Sequence, residues 1–398
     1  MTVLAAQTRP IVQGTKVRRR RRLIAVLLGI TTFVVIVIGL LGAAWYFSDQ
    51  LLDAPGAPAS YDVTVLARTA GTVTLSRVSG FANSGRFGLV WPGGRTIVGP
   101  AIRMTGTTIT RRLLRPAPGL LPGRHVLYDN FVFTTPRSVR LPYHTLSYPD
   151  PLGPMPAWLV PGRGSTWVIA VHGLGNNRRE PIRPIPALAS LGLPILDIGY
   201  RNDVGAPAAP DHLYHLGASE WIDLQSAVRF ALSHGAHAVV LYGYSMGGNI
   251  IETFMAHSPL ASRVRAIVLD APALDWYQIL ELAAEERDLP GAFAALVERL
   301  VAWRIGLFSL DAIDPVLLHF PTIRPTLIFQ GTADSLVPPA SNREFAEKYP
   351  RVVRFVRFPG ADHIQSWNVD PTRYDRVLVS FVRDHLRCRS LHRVFTCT

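Results

Sequence analysis

Residues 239–250 read V-V-L-Y-G-Y-S-M-G-G-N-I, and no other stretch restricts the fold as much. A short apolar run meets Gly243, Tyr244, Ser245, Met246 and Gly247, a G-x-S-x-G, and continues as a predicted helix to about residue 256. A serine between two glycines where a buried strand turns into a helix marks a sharp turn that holds a hydroxyl out from the sheet. Such a turn predicts a strained backbone at Ser245. Gly243 and Gly247 are expected there because a Cβ at either place would meet neighbouring backbone. The helix beginning at Met246 points its unbonded N–H groups and its positive dipole end at the serine, where an oxyanion would form.

The 398 residues are enough for one large domain, a smaller one and an anchor. Hydrophobic residues make up 48% of the chain, high for a purely soluble protein, which directs attention to a membrane segment. Net charge is +13, but Arg9, Lys16 and Arg18 to Arg22 supply seven positives ahead of residue 23 with no acid among them. The other +6 is spread along the chain without a basic stripe interleaved with aromatics, which argues against nucleic acid as a partner. Only Lys16 and Lys348 of the 41 basic residues are lysines, a bias expected of a GC-rich bacterial genome.

Residues 1–22 read as a basic, disordered cytoplasmic tail. Residues 23–47 carry no charge and are long enough for a transmembrane helix, with Trp45 and Tyr46 at the far end where aromatic rings favour the interface. The arginine run predicts a cytoplasmic N-terminus and a catalytic region outside the cytoplasm, at the cell membrane. A cleaved signal peptide is the rival, given the small residues Gly42, Ala43 and Ala44, but the apolar run is long for one. A linker at 48–60 and a β-rich module at 61–136 follow, the latter with short alternating runs broken by glycine and proline. Nothing in the module converges on a chemistry, so it is expected to be a spacer or platform.

From residue 137 to 387 the grammar becomes strand and helix in alternation, with strands that are continuous Val, Ile and Leu runs. That predicts an α/β domain with a mostly parallel sheet covered on both faces. A serine hydroxyl is a poor nucleophile until a base and an orienting carboxylate stand behind it. In such sheets the site lies at the carboxyl ends of the strands. Asp334 falls just past the apolar run at 326–330, and His363 just past the run at 352–358. The order Ser245, Asp334, His363 is a nucleophile–acid–base order. Asp270, past another strand, is the rival acid, and Asp362 reads as a turn residue. Asp211, His212 and His215 lack the further spacing of a metal site, and no cofactor motif is present.

The segments G-Y-S-M-G-G, G-T-A-D-S-L-V-P, G-A-D-H and H-G-L-G-N-N, in residues 137–387, resemble the nucleophile, acid, histidine and oxyanion-loop motifs of the α/β-hydrolase superfamily. With residues 217–223, they are similar to membrane-anchored Bem46-like and ABHD-like serine hydrolases and the S9-like peptidases near them. The resemblance implies a catalytic Ser245, Asp334 and His363, and an oxyanion hole from the amides of Leu174 and Met246. His172 is then expected to shape its loop. The function implied is a membrane-anchored serine hydrolase of carboxylic esters or thioesters that needs no metal or cofactor. The alternatives are a serine peptidase, an acyltransferase, or a non-catalytic binding protein on the same scaffold.

More than fifty residues separate the runs at 266–269 and 326–329, far above the usual connection, and read as a helical cap at about 272–321. Its two apolar helical segments, 276–286 and 292–305, predict a preference for medium or long acyl chains, with a lipid-like ester as substrate. Cys388 and Cys397, in a C-terminal tail at 388–398, are expected to form a disulfide in an oxidising compartment.

Overall fold

The computed structural model describes residues 12–53, 60–77, 85–315, 317, 324–387, 389–391 and 394–396. The chain divides into two compact units, 1–50 and 51–398. The first is built from helix α1 (Val12–Leu52). Among the described residues α1 contains the one span, Arg18–Leu52, long and apolar enough to cross a membrane. The helix is longer than residues 23–47. Residues 12–22, expected to be disordered, continue it at its start, since arginine is a good helix former and no proline interrupts. At the other end it runs through part of the expected linker and stops ahead of Pro55.

The second unit begins with a closed barrel. Strands β1 (Val63–Arg68), β2 (Thr72–Ser76), β3 (Phe87–Trp91), β4 (Gly94–Met104), β5 (Thr108–Leu113) and β6 (His125–Asp129) close in the order β1-β2-β5-β4-β3-β6. Inward positions alternate along the strands, and Val63, Val65, Val73, Leu75, Phe87, Leu89, Val98 and Val126 fill the interior. Arg111 is also fully buried, its guanidinium 4.9 Å from the centre of the Phe87 ring and bonded to the carbonyl of Gly99. β3 and β4 do not stand out in the sequence because glycine and proline punctuate them.

An eight-stranded sheet follows. Its strands are β7 (His144–Tyr148), β8 (Met155–Val160), β9 (Thr166–Val171), β10 (Ile195–Ile198), β11 (Ala238–Tyr244), β12 (Val264–Asp270), β13 (Thr326–Gly331) and β14 (Val353–Phe358). The order is β14-β13-β12-β11-β9-β10-β8-β7. Strands β9 to β14 run parallel, and β8 and β7 add an antiparallel edge. Strands β9, β11 and β13 are buried at every position, which is why they read as unbroken apolar runs.

The helices are α2 (Ile185–Ala189), α3 (Trp221–Ser233), α4 (Met246–His257), α5 (Trp276–Glu285), α6 (Gly291–Arg304), α7 (Pro339–Lys348), α8 (Ser366–Val369) and α9 (Pro371–Arg387). The N-terminal position of α3 is Glu220, not Ser219 as its residue type suggests. The buried Glu220 carboxylate accepts from the amides of His215, Gly217 and Ser219, so it closes the preceding turn instead. Helices α5 and α6 lie in the insertion between β12 and β13, where residues 316 and 318–323 are not described. The C-terminal segment, expected as a plain tail, carries a two-stranded hairpin, β15 (Arg389–Leu391) with β16 (Val394–Thr396). Cys388 and Cys397, and with them the expected disulfide, lie outside the described residues.

Candidate active site

Because β11 to β14 are parallel neighbours, the loops after them share one edge of the sheet. Ser245 follows β11, Asp270 ends β12, Asp334 follows β13 and His363 follows β14. Ser245 has φ 48 and ψ −120, a backbone angle that a non-glycine residue adopts only when its surroundings force it. The forcing is visible. Helix α4 is buried from Met246 to Met255 and starts at once, so the chain must reverse within one residue. A Cβ on Gly243 would lie 2.6 Å from the carbonyl of Gly247, and one on Gly247 would lie 2.4 Å from the carbonyl of Val171.

Met246 opens α4, so its amide has no carbonyl one turn back within the helix. The amide of Leu174 makes no hydrogen bond among the described residues. The loop that carries Leu174 is pressed against the serine, because a Cβ on Gly173 would lie 2.9 Å from the Ser245 Cβ.

Asp334 and His363 are in direct contact. His363 Nδ1 is 3.1 Å from both carboxylate oxygens of Asp334. The carboxylate is fixed from behind by the amides of Leu336 and Val337 at 3.0 and 2.9 Å and by the side chain of Gln330 at 2.9 Å. Burial draws the His363 pKa down, but the charge and hydrogen bond of Asp334, with Glu180 and Asp270 adding, outweigh it and leave the pKa raised. Asp362 ties the two loops together, accepting from the amide and hydroxyl of Ser335 and from the amide of His363. Among the described residues the Ser245 hydroxyl has no hydrogen bond to His363; it is Asp334 and His363 that touch.

Asp270 is engaged elsewhere. It is fully buried and accepts from the Tyr374 hydroxyl at 2.8 Å. Tyr374 in turn bonds Tyr242, and Tyr242 bonds Tyr244 at 2.7 Å, a chain of buried hydroxyls. Burial pushes the Asp270 carboxyl up to about 7, against the opposing pull of Arg183 and the Tyr374 bond.

His172 is completely buried, bonded to the carbonyl of Gly173 at 2.9 Å and to Asp203 at 2.7 Å, with its ring stacked on Tyr200. Burial lowers its pKa, but the Asp203 charge and hydrogen bond and the Gly173 carbonyl raise it to about 8. Both ring nitrogens face acceptors, so the imidazole is a brace for the loop rather than a base. Asp211 and His215 form a side-chain pair at 2.8 Å.

Two residues that the motifs do not mark, Glu180 and Arg183, organise the site. Glu180 is fully buried and accepts from the amide of Gly173 at 2.6 Å and from the Asn176 side chain at 2.8 Å, which locks the Leu174 loop. Burial raises its carboxyl, with the Gly173 amide, His172, Arg183 and His363 pulling the other way. Arg183, one turn on, donates to the carbonyl of Ile364 at 2.8 Å. The sequence does not single them out, since they sit in a polar and proline-rich run, N-N-R-R-E-P-I-R-P.

Residues 166–300 match a family model described as the alpha/beta hydrolase fold, and residues 64–128 match one described as a domain of unknown function (DUF8805). No curated protein matches the chain. Among solved structures, the Pyrococcus furiosus esterase Pf2001 is similar at 18% identity and TM-score 0.50, covering 63% of this chain and 94% of that one. A Mycobacterium tuberculosis puromycin-hydrolyzing peptidase is similar at 17% identity and TM-score 0.50, covering 79% of this chain and 46% of that one. The sheet order, the serine turn after its central strand and these likenesses identify an α/β-hydrolase fold, carried behind a small β-barrel.

Proposed function

We propose that the chain is a membrane-anchored serine hydrolase that cleaves carboxylic esters or thioesters through an acyl-enzyme on Ser245. The observation that carries this reading is the placement of a strained serine after β11 with a touching Asp334–His363 pair past β13 and β14 of the same sheet. His363 takes the Ser245 proton as the hydroxyl attacks the substrate carbonyl, and Asp334 holds the imidazole tautomer and balances the imidazolium. The tetrahedral oxyanion is met by the amides of Leu174 and Met246, and donors fixed in advance stabilise it without reorganisation. The imidazolium then protonates the departing alcohol or thiol. Water, activated by the same His363, releases the acid, or an alcohol in its place makes the enzyme an acyltransferase. The Ser245–His363 hydrogen bond is expected to tighten with substrate bound.

A fluorophosphonate probe should label the wild type and not Ser245→Ala. Ser245→Ala and His363→Ala should each lower kcat by roughly 10³-fold or more on a p-nitrophenyl ester while staying folded. Wild-type turnover in Ser245→Ala would overturn the mechanism. Peptide cleavage is the second reading, favoured by the fold shared with the puromycin-hydrolyzing peptidase. A panel of esters of increasing chain length, thioesters and peptide amides separates the two. The apolar helices α5 and α6 support medium or long acyl chains, and an optimum at two carbons or on amides would reverse that preference. The arginines at 18–22 support a cytoplasmic N-terminus, so a reporter that works only outside the cytoplasm should be active when fused after Thr398.

A further inference from the structure

The barrel meets the segment that follows the histidine loop at Asn368. Asn368 lies in α8, five residues past His363, and is fully buried. Its amide nitrogen donates to the carbonyls of Arg86 and Asn130, at 2.7 and 2.8 Å. Its backbone carbonyl accepts from the amide of Arg86 at 2.9 Å. Arg86 directly precedes β3, and Asn130 directly follows β6. Its side-chain oxygen accepts from Arg183 Nη1. An asparagine amide has two N–H bonds and one oxygen, and here the N–H bonds serve the barrel's strand ends while the oxygen serves the hydrolase.

The same Arg183 nitrogen reaches the carbonyls of Ile364 at 2.8 Å and Asn130 at 3.3 Å. Ile364 is the residue after His363 and has φ 52, a left-handed conformation that a β-branched residue resists. Strain of this kind persists only where the surroundings over-determine it, and the bond to Arg183 supplies that constraint. The fit on the barrel side leaves no slack: a Cβ on Gly85 would lie 2.1 Å from the Asn368 carbonyl oxygen.

We propose that the barrel is a positioning module for His363, acting through Asn368 and Arg183 to hold the loop that presents the imidazole. Asn368 is a positioning residue and touches no substrate. The inference rests on the reading of His363 as the general base. It gives the barrel a part in the reaction in place of the spacer role expected for residues 61–136.

Two full-length variants test it in detergent. Gly85→Ala wedges the barrel against the backbone of Asn368 and Val369 and changes no hydrolase side chain. Asn368→Asp keeps the acceptor for Arg183 and deletes both donors to the barrel. Each is expected to lower kcat per titrated serine by roughly 10–100-fold with KM nearly unchanged, because a small misplacement of a reacting group costs that much. Fluorophosphonate labelling should slow in parallel, and hydrogen exchange in residues 363–369 should rise. Arg112→Ala, exposed on the barrel wall, should leave activity unchanged. If Gly85→Ala does not fold, Asn368→Asp carries the test alone. Wild-type kcat per titrated serine in the folded variants, with Ser245→Ala inactive, would reduce the contact to stability and overturn the proposal. Activity in Ser245→Ala would instead remove the serine chemistry, and this inference with it.

Discussion

The hydroxyl of Tyr374 donates to the carboxylate of Asp270 at 2.8 Å, and both residues are fully buried. That bond engages one of two acids that stand past the ends of neighbouring strands. Asp270 faces a tyrosine chain, whereas Asp334 faces the imidazole.

The two acids should therefore respond differently to amidation. Asp334→Asn forces the wrong tautomer on His363 and should lower kcat by about 10⁴-fold. Asp270→Asn still offers an acceptor to Tyr374 and should stay within about tenfold of wild type. Steady-state rates on one p-nitrophenyl ester compare them directly, and the reverse ranking would make Asp270 the acid.

The acid limb of the pH profile is the second prediction. As the proposed base, His363 must be neutral to take the serine proton, and against the lowering effect of burial Asp334 raises its pKa above the 6.5 of a free imidazole. Activity should be lost as pH falls through that raised value, so half-maximal kcat/KM should lie above pH 6.5. A plateau that extends to pH 5 would place another group in the role.

Gly173 sets the width of the site. Alanine there would bring its Cβ to 2.9 Å from the Ser245 Cβ and 3.3 Å from the Tyr244 carbonyl, so the Leu174 loop must move off. Losing one oxyanion donor costs roughly 10²–10³-fold in kcat, and Gly173→Ala is expected near the lower end. Binding of a product carboxylic acid should change far less than kcat; equal losses in both would point to a distorted pocket instead.

Glu252, on α4, is buried and one of its oxygens has no partner among the described residues. Burial raises its carboxyl from 4.5 to about 8. The unfolded chain releases this proton near 4.5 and the folded chain keeps it to about 8, so the stability it allows is whole below 4.5 and is lost progressively up to 8. Glu252→Gln keeps the shape without a charge to bury. Its Tm should exceed that of the wild type at pH 8, with the difference closing by pH 4. An equal gain at both pH values would trace the effect to packing.

The serine turn was legible because three constraints fall on adjacent residues: a buried strand, two crowded glycines and a helix start. Asp334 and His363 were placed by position after strands, and the structure puts them in contact. The turn before α3 was not legible, because the Glu220 carboxylate closes it by accepting from the amides of His215, Gly217 and Ser219, and a buried acid there has no local sequence signature. Strands β3 and β4 hid behind glycine and proline, since β4 carries Gly99 and Pro100 where its pairing with β5 is irregular, and that breaks the alternation. Glu180, Arg183 and Asn368 could not be found from the sequence. Each is a polar side chain whose meaning comes from partners far along the chain, and no local period marks a bond between residues 183 and 368.

The bond from Asn368 to Arg86 joins positions 282 apart, and that distance imposes an order of events. Ribosomes deliver a chain from its N-terminus, and domains fold as they emerge. The barrel pairs only residues 63–129 with one another, so it is complete early. The serine turn follows, on the proposed chemistry a nucleophile still without its base. Strand β14, the histidine loop and α8 arrive well after it and close onto a surface that has been waiting for them. On the chemistry proposed here, a nascent or truncated polypeptide is silent toward esters, and the final fraction of the chain switches the enzyme on.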